Sequence, residues 1–455
     1  MNEKKRIFLW ISFLIMLIQS GICFAAQAPY GTLQAGAGET LIQIPPEFFP
    51  AQGFDGIHDP LYVKTLLLDN GVNKTAVVSI DMTSLGNVNQ LKSIIQKTAG
   101  IQPDNIFIYA AHNFSSPHVF PGMTENAAEN KKTAMFASAL AKAVEAATQK
   151  AVTGMQPASI GYGTGISNVN INRDELTAGG WWHGSNETGY SDKELSVMKI
   201  DSLSGKPLAI FMNYSVQSSI MDESVSNQGK KLISTDLAGA ATKYVEDQYK
   251  EDGTVAFFGV GAAGDQAPIF MANRYMTDNK GVSIRTDIHD DGYILLGLIG
   301  ERLGYDAIKV SRKIIDKQTS VDLSVIHDSV VCKSQKMPMS KTADMKPVKQ
   351  YTYQIDGEVK VPIDIMKIGN IALVGIQPEL ASKIGADIKK GSPVKNTMVL
   401  TMVNGAAKYM ADKDSYDKFT YEARNSKYAK GSAELVENKI ISMLTQLNSR
   451  SKASE

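Results

Sequence analysis

The stretch NIFIYAAHNF, residues 105–114, is a short apolar run that ends in a polar corner. Its length and its Ile, Phe and Tyr content are typical of a buried strand. Five further runs end in the same way: TAVVSID (75–81), PLAIFMNY (207–214), TVAFFGVG (254–261), IALVGIQPE (371–379) and TMVLTMVNG (397–405). Because α/β proteins bind ligands at the carboxyl ends of their strands, we expect these corners to form one shared site.

Helical patterns separate many of these runs. Apolar residues recur at helical spacing in the segments 134–152, 237–249, 290–315 and 432–447. The segment 319–364 instead alternates apolar and polar residues, which predicts antiparallel strands inserted before the run at 371–379. Strands that alternate with helices indicate an α/β structure, and the antiparallel segment makes the sheet mixed. We therefore predict an α/β fold with a mixed central β-sheet and helices on both faces.

The composition is that of an ordinary globular protein. Of 455 residues, 43% are apolar and 21% are charged, and the net charge is zero. This balance indicates neither a basic nucleic-acid-binding surface nor an acidic tail. No linker divides the chain, so we predict a single domain over residues 27–455, with 319–364 as a β-rich insertion.

The first residues have the pattern of a secretory signal. The basic residues 4–6 precede the apolar run IFLWISFLIMLI, and small residues suitable for cleavage follow. We therefore predict a signal peptide over residues 1–26 and a secreted or cell-envelope location. An uncleaved anchor is the alternative, because the apolar run could just span a bilayer. Cleavage would remove Cys23 and leave Cys332 as the one cysteine, so that no internal disulfide forms.

The corner motifs follow one another in a recognisable order. They are AGAGETLIQIPP (35–46), AAHNFSSPHVFPG (110–122), NINRDE (170–175), MNYSVQSS (212–219), GAAGDQAP (261–268), IGNIALVGIQPE (368–379) and NGAAKYM (404–410). Together they resemble the catalytic domain of the neutral (alkaline, non-lysosomal) ceramidases, from Ala35 to about Glu437. A single short motif is weak grounds for a family assignment, whereas this order and spacing are specific.

The resemblance implies a zinc amidohydrolase. In such an enzyme a metal-bound water attacks the amide of a ceramide and releases a fatty acid and a sphingoid base, because zinc makes the water acidic enough to react near neutral pH. By position in the motifs, the metal ligands would be His112, Glu379 and Tyr409. Arg173, in NINRDE, would lie near the scissile bond.

Three positions depart from the family motifs. Phe114 stands where the family has a second histidine, Gln217 where it has a ligating histidine, and Ala267 where it has a serine. Zinc prefers nitrogen and thiolate ligands to an amide oxygen, so its affinity should fall. Loss of a proton relay or an oxyanion donor typically lowers a rate by about 100-fold or more. We therefore treat these three as substrate-binding positions in a pocket whose chemistry has changed or been lost.

Each of these site residues also has a purely structural interpretation. His112 could be a core histidine that the backbone satisfies, and Glu379 could cap the helix that follows it. Tyr409 could serve core packing, and Arg173 could form a surface ion cluster with its acidic neighbours. A shared cavity between His112, Glu379 and Tyr409 would favour the site.

Other candidates surround this set. In GAAGDQAP, Gly264 permits a close backbone approach that suits an oxyanion nest, and Asp265 is a candidate base. The remaining catalytic candidate is Tyr421, and His118 is expected near the mouth of the pocket.

An adjacent aromatic pair, Trp181 and Trp182, stands out in the Gly-rich segment AGGWWHGSNETG, 178–189. In a loop, an exposed pair of this kind suggests contact with a substrate or a membrane surface. Burial over a sheet edge is the alternative.

The leading functional hypothesis is an exported ceramidase-type hydrolase that acts on a ceramide-like or other N-acyl substrate and has an altered zinc site. One alternative is a non-catalytic protein that uses the pocket to bind a lipid, a glycan or an envelope component. The other is a hydrolase of a different amide or ester, with Glu379 or Asp265 as the base. The partner is in each case a small molecule or lipid, and metal content distinguishes the hypotheses.

Overall fold

The computed structural model describes residues 30–120, 124–338 and 345–453. The predicted signal peptide lies outside these residues. Within them, no helix is both long enough and apolar enough to cross a bilayer. Cys332 is buried and unoxidised.

The larger of two main sheets runs through the first two thirds of the chain. In spatial order its strands are β12 (Val255–Val260), β10 (Pro207–Tyr214), β9 (Glu194–Ser202), β6 (Gln156–Ile166), β1 (Gln34–Leu41), β3 (Tyr62–Asp69), β4 (Lys74–Ile80) and β5 (Ile106–Ala110), and the short β16 (Lys317–Gln318) joins β6. The pairs β4–β5 and β10–β12 are parallel and the others are antiparallel. The sheet is therefore mixed, as predicted.

The second sheet is formed by the last third of the chain. Its strands, in spatial order, are β17 (Leu323–Gln335), β18 (Ile355–Ile368), β19 (Ile371–Ile376) and β21 (Asn396–Leu400). The strands β17, β18 and β19 are antiparallel, whereas β19 and β21 are parallel. Shorter strands lie outside these sheets: β2 (Gly56–Ile57), β7 (Asn170–Thr177), β8 (Gly180–Asn186), β11 (Leu232–Ile233), β13 (Gln266–Pro268), β14 (Asn273–Thr277), β15 (Ser283–Asp287), β20 (Glu379–Leu380) and β22 (Tyr409–Met410).

Within the described residues, four helices match the four predicted helical segments, and the others were not predicted from apolar spacing. They are α1 (Val88–Ala99), α2 (Ala127–Thr153), α3 (Asp236–Gln248), α4 (Asp291–Ser311), α5 (Ser382–Gly391), α6 (Lys413–Lys418), α7 (Tyr421–Arg424) and α8 (Ser432–Ala453). Short 3-10 turns occupy Pro46–Phe48, Pro103–Asn105 and Lys250–Asp252.

The two main sheets stack face to face. Successive residues of a strand point to opposite faces, so Val77 joins the core between the sheets, whereas Val78 joins the core beneath α1 and α2. In the same way, Phe257 faces the second sheet and Phe258 faces α3 and α4. The helices α5 and α8 cover the outer face of the second sheet.

The predicted α/β class, with a mixed sheet and helices on both sides, is confirmed. The arrangement of layers differs in one respect, because the central layer consists of two sheets instead of one. The runs that begin at Ile371 and Thr397 pair with each other, and the alternating segment 319–364 supplies most of the hairpin that extends them. The hairpin of β17 and β18 pairs with β19 and so completes the second sheet. The other four apolar runs belong to the larger sheet.

Both edges of the larger sheet are occupied by other parts of the chain. At β12, Lys64 Nζ donates to the carbonyl of Ala256 at 3.0 Å, and Glu246 Oε1 accepts from the Ala256 amide at 2.9 Å. The ammonium and this carboxylate are themselves 2.6 Å apart. At β5, the amide of Ile108 donates to the Asn404 side chain, and the Asn404 amide donates to the Ile108 carbonyl.

Helix α2 lies directly on β1 because two glycines leave room for it. A Cβ atom on Gly36 would lie 2.1 Å from the carbonyl oxygen of Ala151, and one on Gly38 would lie 2.5 Å from that of Ala147. Neither backbone carbonyl can move without shifting the helix.

We therefore expect Gly36→Ala to lower the free energy of unfolding by about 1–3 kcal/mol, the usual cost of overpacking a core. Urea denaturation followed by circular dichroism measures this change. Gly297→Ala is the matched control, because a Cβ there meets nothing within 4 Å and alanine favours the helix. Equal stability of the two variants would contradict the close approach.

Candidate functional site

A cleft of about 820 Å³ opens beside the carboxyl ends of several strands. Its walls combine aromatic and apolar side chains with charged ones, namely Glu175, Glu187, Asp222, Glu223, Arg274 and Arg285. Trp182 meets Tyr421 edge to face at 5.6 Å between ring centroids, and the His183 ring lies 4.2 Å from the Tyr421 ring. Phe114, Ala267 and the other lining residues Ile171, Ile269, Phe270, Tyr275 and Met276 complete the apolar surface. Such a wall suits the hydrocarbon part of a ligand.

Two polar side chains, Arg173 and Gln217, line the base of the cleft. His112 and Glu379 lie behind them, outside the lining, and we call these four side chains the polar floor. His112 Nε2 lies 2.7 Å from Glu379 Oε2, but the angle between the two groups does not meet the geometry of a hydrogen bond. Gln217 Nε2 donates to the same Glu379 oxygen at 3.2 Å. Arg173 Nη1 donates to Gln217 Oε1 at 2.8 Å. A continuous line of polar contacts thus runs from the imidazole to the guanidinium.

The chemistry of its neighbours fixes the orientation of the Gln217 amide. A guanidinium only donates hydrogen bonds, and an ionised carboxylate only accepts them. The amide oxygen must therefore face Arg173 and the amide nitrogen must face Glu379, as observed. The reversed amide would set two donors together and two acceptors together.

Strand corners place these side chains, as the sequence predicted. His112 follows β5 in a left-handed backbone conformation with φ of 55°, and Gln217 follows β10. Glu379 and Tyr409 are direct partners in the two-residue parallel pair β20–β22, which continues the chain beyond β19 and β21. Four of the six corners therefore converge, and His112, Glu379 and Tyr409 share one cluster.

A buried acidic pair holds Arg173. Its Nε and Nη2 atoms lie 2.7 and 2.6 Å from Glu422 Oε1. Burial alone would raise the pKa of Glu422, but Arg173 and a hydrogen bond from Asp174 hold that pKa below its ordinary value. Burial and the adjacent Glu422 carboxylate raise the pKa of Asp174 well above its ordinary value. Asp174 is therefore the protonated partner, and the pair offers one negative charge to Arg173.

Burial and neighbouring charges determine the charge states of three further side chains at the cleft: Glu379, Tyr409 and His183. Burial would raise the pKa of Glu379, yet His112 and Arg173 lower it below its ordinary value, so it is ionised. Burial raises the pKa of Tyr409 well above its usual range despite Arg173, so its phenol is neutral. Burial, and to a smaller extent the positive charge of Arg173, lowers the pKa of His183 to about 3, so the imidazole is uncharged.

The polar floor and Tyr409 are a poor fit for zinc. They include one imidazole and one carboxylate, and the Gln217 oxygen already accepts from Arg173. The nearby guanidinium of Arg173 also disfavours a divalent cation through charge repulsion. Among residues 30–120, 124–338 and 345–453, no three His, Cys, Asp or Glu side chains are grouped to hold a metal.

The tryptophan pair lies on strand β8, not in a loop. Alternation along the strand separates the two rings. Trp182 is buried in the cleft wall, whereas Trp181 is partly exposed, is not part of the cleft lining and packs under the Lys418 ammonium at 4.9 Å. Of the two alternatives, Trp182 agrees with burial and not with an exposed loop, because the flanking glycines belong to a hairpin turn and to sites of close packing.

Three more predicted residues lie outside the cleft lining, in addition to Trp181, His112 and Glu379. Both carboxylate oxygens of Asp265 accept hydrogen bonds, from the Ser382 amide and hydroxyl and from Asn172. The bonds from Ser382 anchor the start of α5. Gly264 donates to the Leu380 carbonyl, and a Cβ on it would lie 2.8 Å from the Glu379 carbonyl. His118 is exposed, and Gln52 binds its backbone. We assign these residues structural roles around the site.

Several residues of the site escaped the sequence analysis. Glu422 lies in the first turn of the short helix α7 and is separated from its partner Arg173 by 249 positions. The Ser219 hydroxyl lines the cleft, is buried and has no hydrogen-bond partner within the described part of the chain. Only the proximity of Ser219 to Gln217 in MNYSVQSS signalled it.

Two solved structures share this fold. The neutral ceramidase from Pseudomonas aeruginosa and a ceramidase complexed with C2 each match with a TM-score of 0.71 and 16% identity over 92% of this chain. The matches cover 75% of the first chain and 76% of the second. At this identity the likeness establishes the fold alone. No family model and no curated protein matches the sequence.

Proposed function

We propose that the protein binds an N-acylated amphiphile, such as a ceramide-like lipid amide, in the cleft and does not hydrolyse it by zinc chemistry. The polar floor carries this proposal. At the position expected to hold a metal, side chains contact one another from Arg173 through Gln217 to Glu379 and His112. The fold of ceramidases supports the ligand class by analogy.

The cleft offers separate surfaces to the two parts of such a ligand. Trp182, Tyr275 and Met276 present aromatic and apolar surface to an acyl chain. Burial of this kind contributes about 0.8 kcal/mol per methylene. At the base, Arg173 and Gln217 can exchange hydrogen bonds with an amide or a hydroxyl group. The ligand would then lie with its polar group on the floor and its chain along the walls.

The leader-like segment over residues 1–26 supports an exported protein that meets this amphiphile outside the cytoplasm. Its partners would be lipids or small amphiphiles, and the neutral net charge gives no reason to add a nucleic acid.

Metal-independent hydrolysis is the second candidate. The short distance between His112 Nε2 and Glu379 Oε2 favours it, because such a pair could orient a water molecule. It ranks second because the Glu379 pKa is lowered, and a carboxylate with a lowered pKa is a weak base near neutral pH.

Calorimetric titration with a water-soluble, short-chain N-acyl sphingosine tests the proposal. We expect binding that EDTA leaves unchanged, and Trp182→Ala should weaken it by about tenfold through loss of aromatic contact area. Trp181→Ala is the matched control and should bind as the wild type does, since that ring lies outside the cleft lining.

Mass spectrometry of the same mixtures separates the alternatives. Intact ligand after incubation supports a binding protein, and free fatty acid released in EDTA supports the second candidate. Release that requires zinc, or binding that EDTA abolishes, would overturn the proposal.

A further inference from the structure

Two hairpins lie beside the cleft and touch at their turns. One is formed by β7 and β8, and the other by β14 and β15. The Ala178 amide in the first turn donates to the Gly281 carbonyl in the second at 2.7 Å. Thr277 also donates to Glu175 Oε1 at 2.8 Å, which fixes the two hairpins side by side. We call this unit the joined tips.

Large apolar side chains surround the joined tips and are exposed. Val282, at the second turn, is 49% exposed, and Ile284 is 47% exposed. Met276 is the cross-strand partner of Ile284, and Leu176 is the partner of Trp181 on the other hairpin. These four side chains all lie within a few residues of a turn, so the exposed apolar surface is concentrated at the joined tips. Water-exposed apolar groups in this concentration favour an interface.

The charged residues near the joined tips include exposed cations. Lys280 lies in the turn, Arg285 lies on β15 and Lys418 covers the Trp181 ring. The nearby carboxylates are engaged locally: Asp278 accepts from the Lys280 and Val282 amides, and Glu175 accepts from Thr277. Exposed apolar side chains, a partly exposed tryptophan and exposed cations together suit an anionic lipid surface.

The apolar surface continues from the joined tips into the cleft. Met276 is exposed to solvent and also lines the cleft, and so does Phe270. An amphiphile that leaves a bilayer at the joined tips would therefore meet apolar side chains along its way to the polar floor.

We propose that the joined tips dock on an anionic lipid bilayer and set the mouth of the cleft against its surface. The role of this docking rests on the proposed function, because docking would deliver a membrane-borne N-acyl amphiphile to the cleft. Val282 and Ile284 enter the interfacial region, while Lys280 and Arg285 contact anionic headgroups.

Vesicle co-sedimentation tests the docking. We expect the wild type to bind vesicles of phosphatidylcholine with phosphatidylglycerol more tightly than vesicles of phosphatidylcholine alone. Val282→Ser/Ile284→Ser should weaken that binding by about tenfold, because each buried methylene contributes to partitioning. Neither residue lines the cleft, so titration with the soluble N-acyl ligand should remain unchanged.

Ile294→Ser/Leu298→Ser on α4 is the matched control, since those side chains are 67% and 62% exposed and belong to a different surface. It should bind vesicles as the wild type does. Equal losses in both double variants, or full vesicle binding by Val282→Ser/Ile284→Ser, would overturn the docking but leave ligand binding in the cleft intact. Vesicle binding without any binding of the soluble ligand would instead overturn the proposed function.

Discussion

Replacing Arg173 with methionine is expected to lower the free energy of unfolding by about 3–5 kcal/mol, the usual cost of removing one partner from a buried ion pair. The guanidinium is almost fully buried, and Glu422, its carboxylate partner, is more deeply buried still. Without it, the single negative charge of the Asp174–Glu422 pair would have no cation beside it. The Gln217 oxygen would also lose its donor, which adds a desolvation penalty.

Chemical denaturation of three variants tests this expectation. Arg285→Met is the matched control, because Arg285 is exposed and should cost less than about 1 kcal/mol. The double variant Arg173→Met/Glu422→Gln removes both charges and should recover part of the loss, which a double-mutant cycle measures. If Arg173→Met were as stable as Arg285→Met, the ion pair would not support the cleft floor.

Introducing the residues that the resembling ceramidase motifs carry at positions 114, 217 and 267 should create a zinc site. We expect the triple variant Phe114→His/Gln217→His/Ala267→Ser to bind zinc at least about 100-fold more tightly than the wild type, a difference of about 2.7 kcal/mol. Two added imidazoles supply the nitrogen donors that zinc prefers. Removal of the Gln217 amide also breaks the direct connection between Arg173 and Glu379.

Calorimetric zinc titration of both proteins measures the gain, and elemental analysis of the purified wild type gives its native metal content. A control variant, Phe114→Leu/Gln217→Leu, removes the same side chains without adding ligands and should gain no affinity. Wild-type protein that binds one zinc as tightly as the triple variant, or that hydrolyses a ceramide as fast, would contradict the account of an altered site.

Sequence patterns predicted local structure well, since the physical signals for it are local. The apolar periodicity of 134–152 and 237–249 predicted two helices that the structure extends or shifts by only a few residues. Short runs such as 105–111 predicted buried strands with polar corners, and the corners at His112 and Gln217 do converge.

The sequence carries no comparable signal for contacts between residues that are far apart along the chain. Nothing near Glu422 indicates that Arg173, 249 positions earlier, is its partner. The division of the runs between two sheets depends on which strand edges meet, and apolar composition does not determine that choice. The glycines around Trp181 and Trp182 allowed either an exposed loop or burial at a sheet edge, whereas in the structure they accompany a close-packed hairpin.

The occupied edges of the larger sheet have a consequence for how this protein behaves in a crowded environment. Unpaired edge strands can recruit strands from other molecules and start aggregation. Here the Ala256 amide and carbonyl are bound by Glu246 and Lys64, and both backbone groups of Ile108 are bound by Asn404. The sheet can therefore be wide without offering these positions as a template for polymerisation.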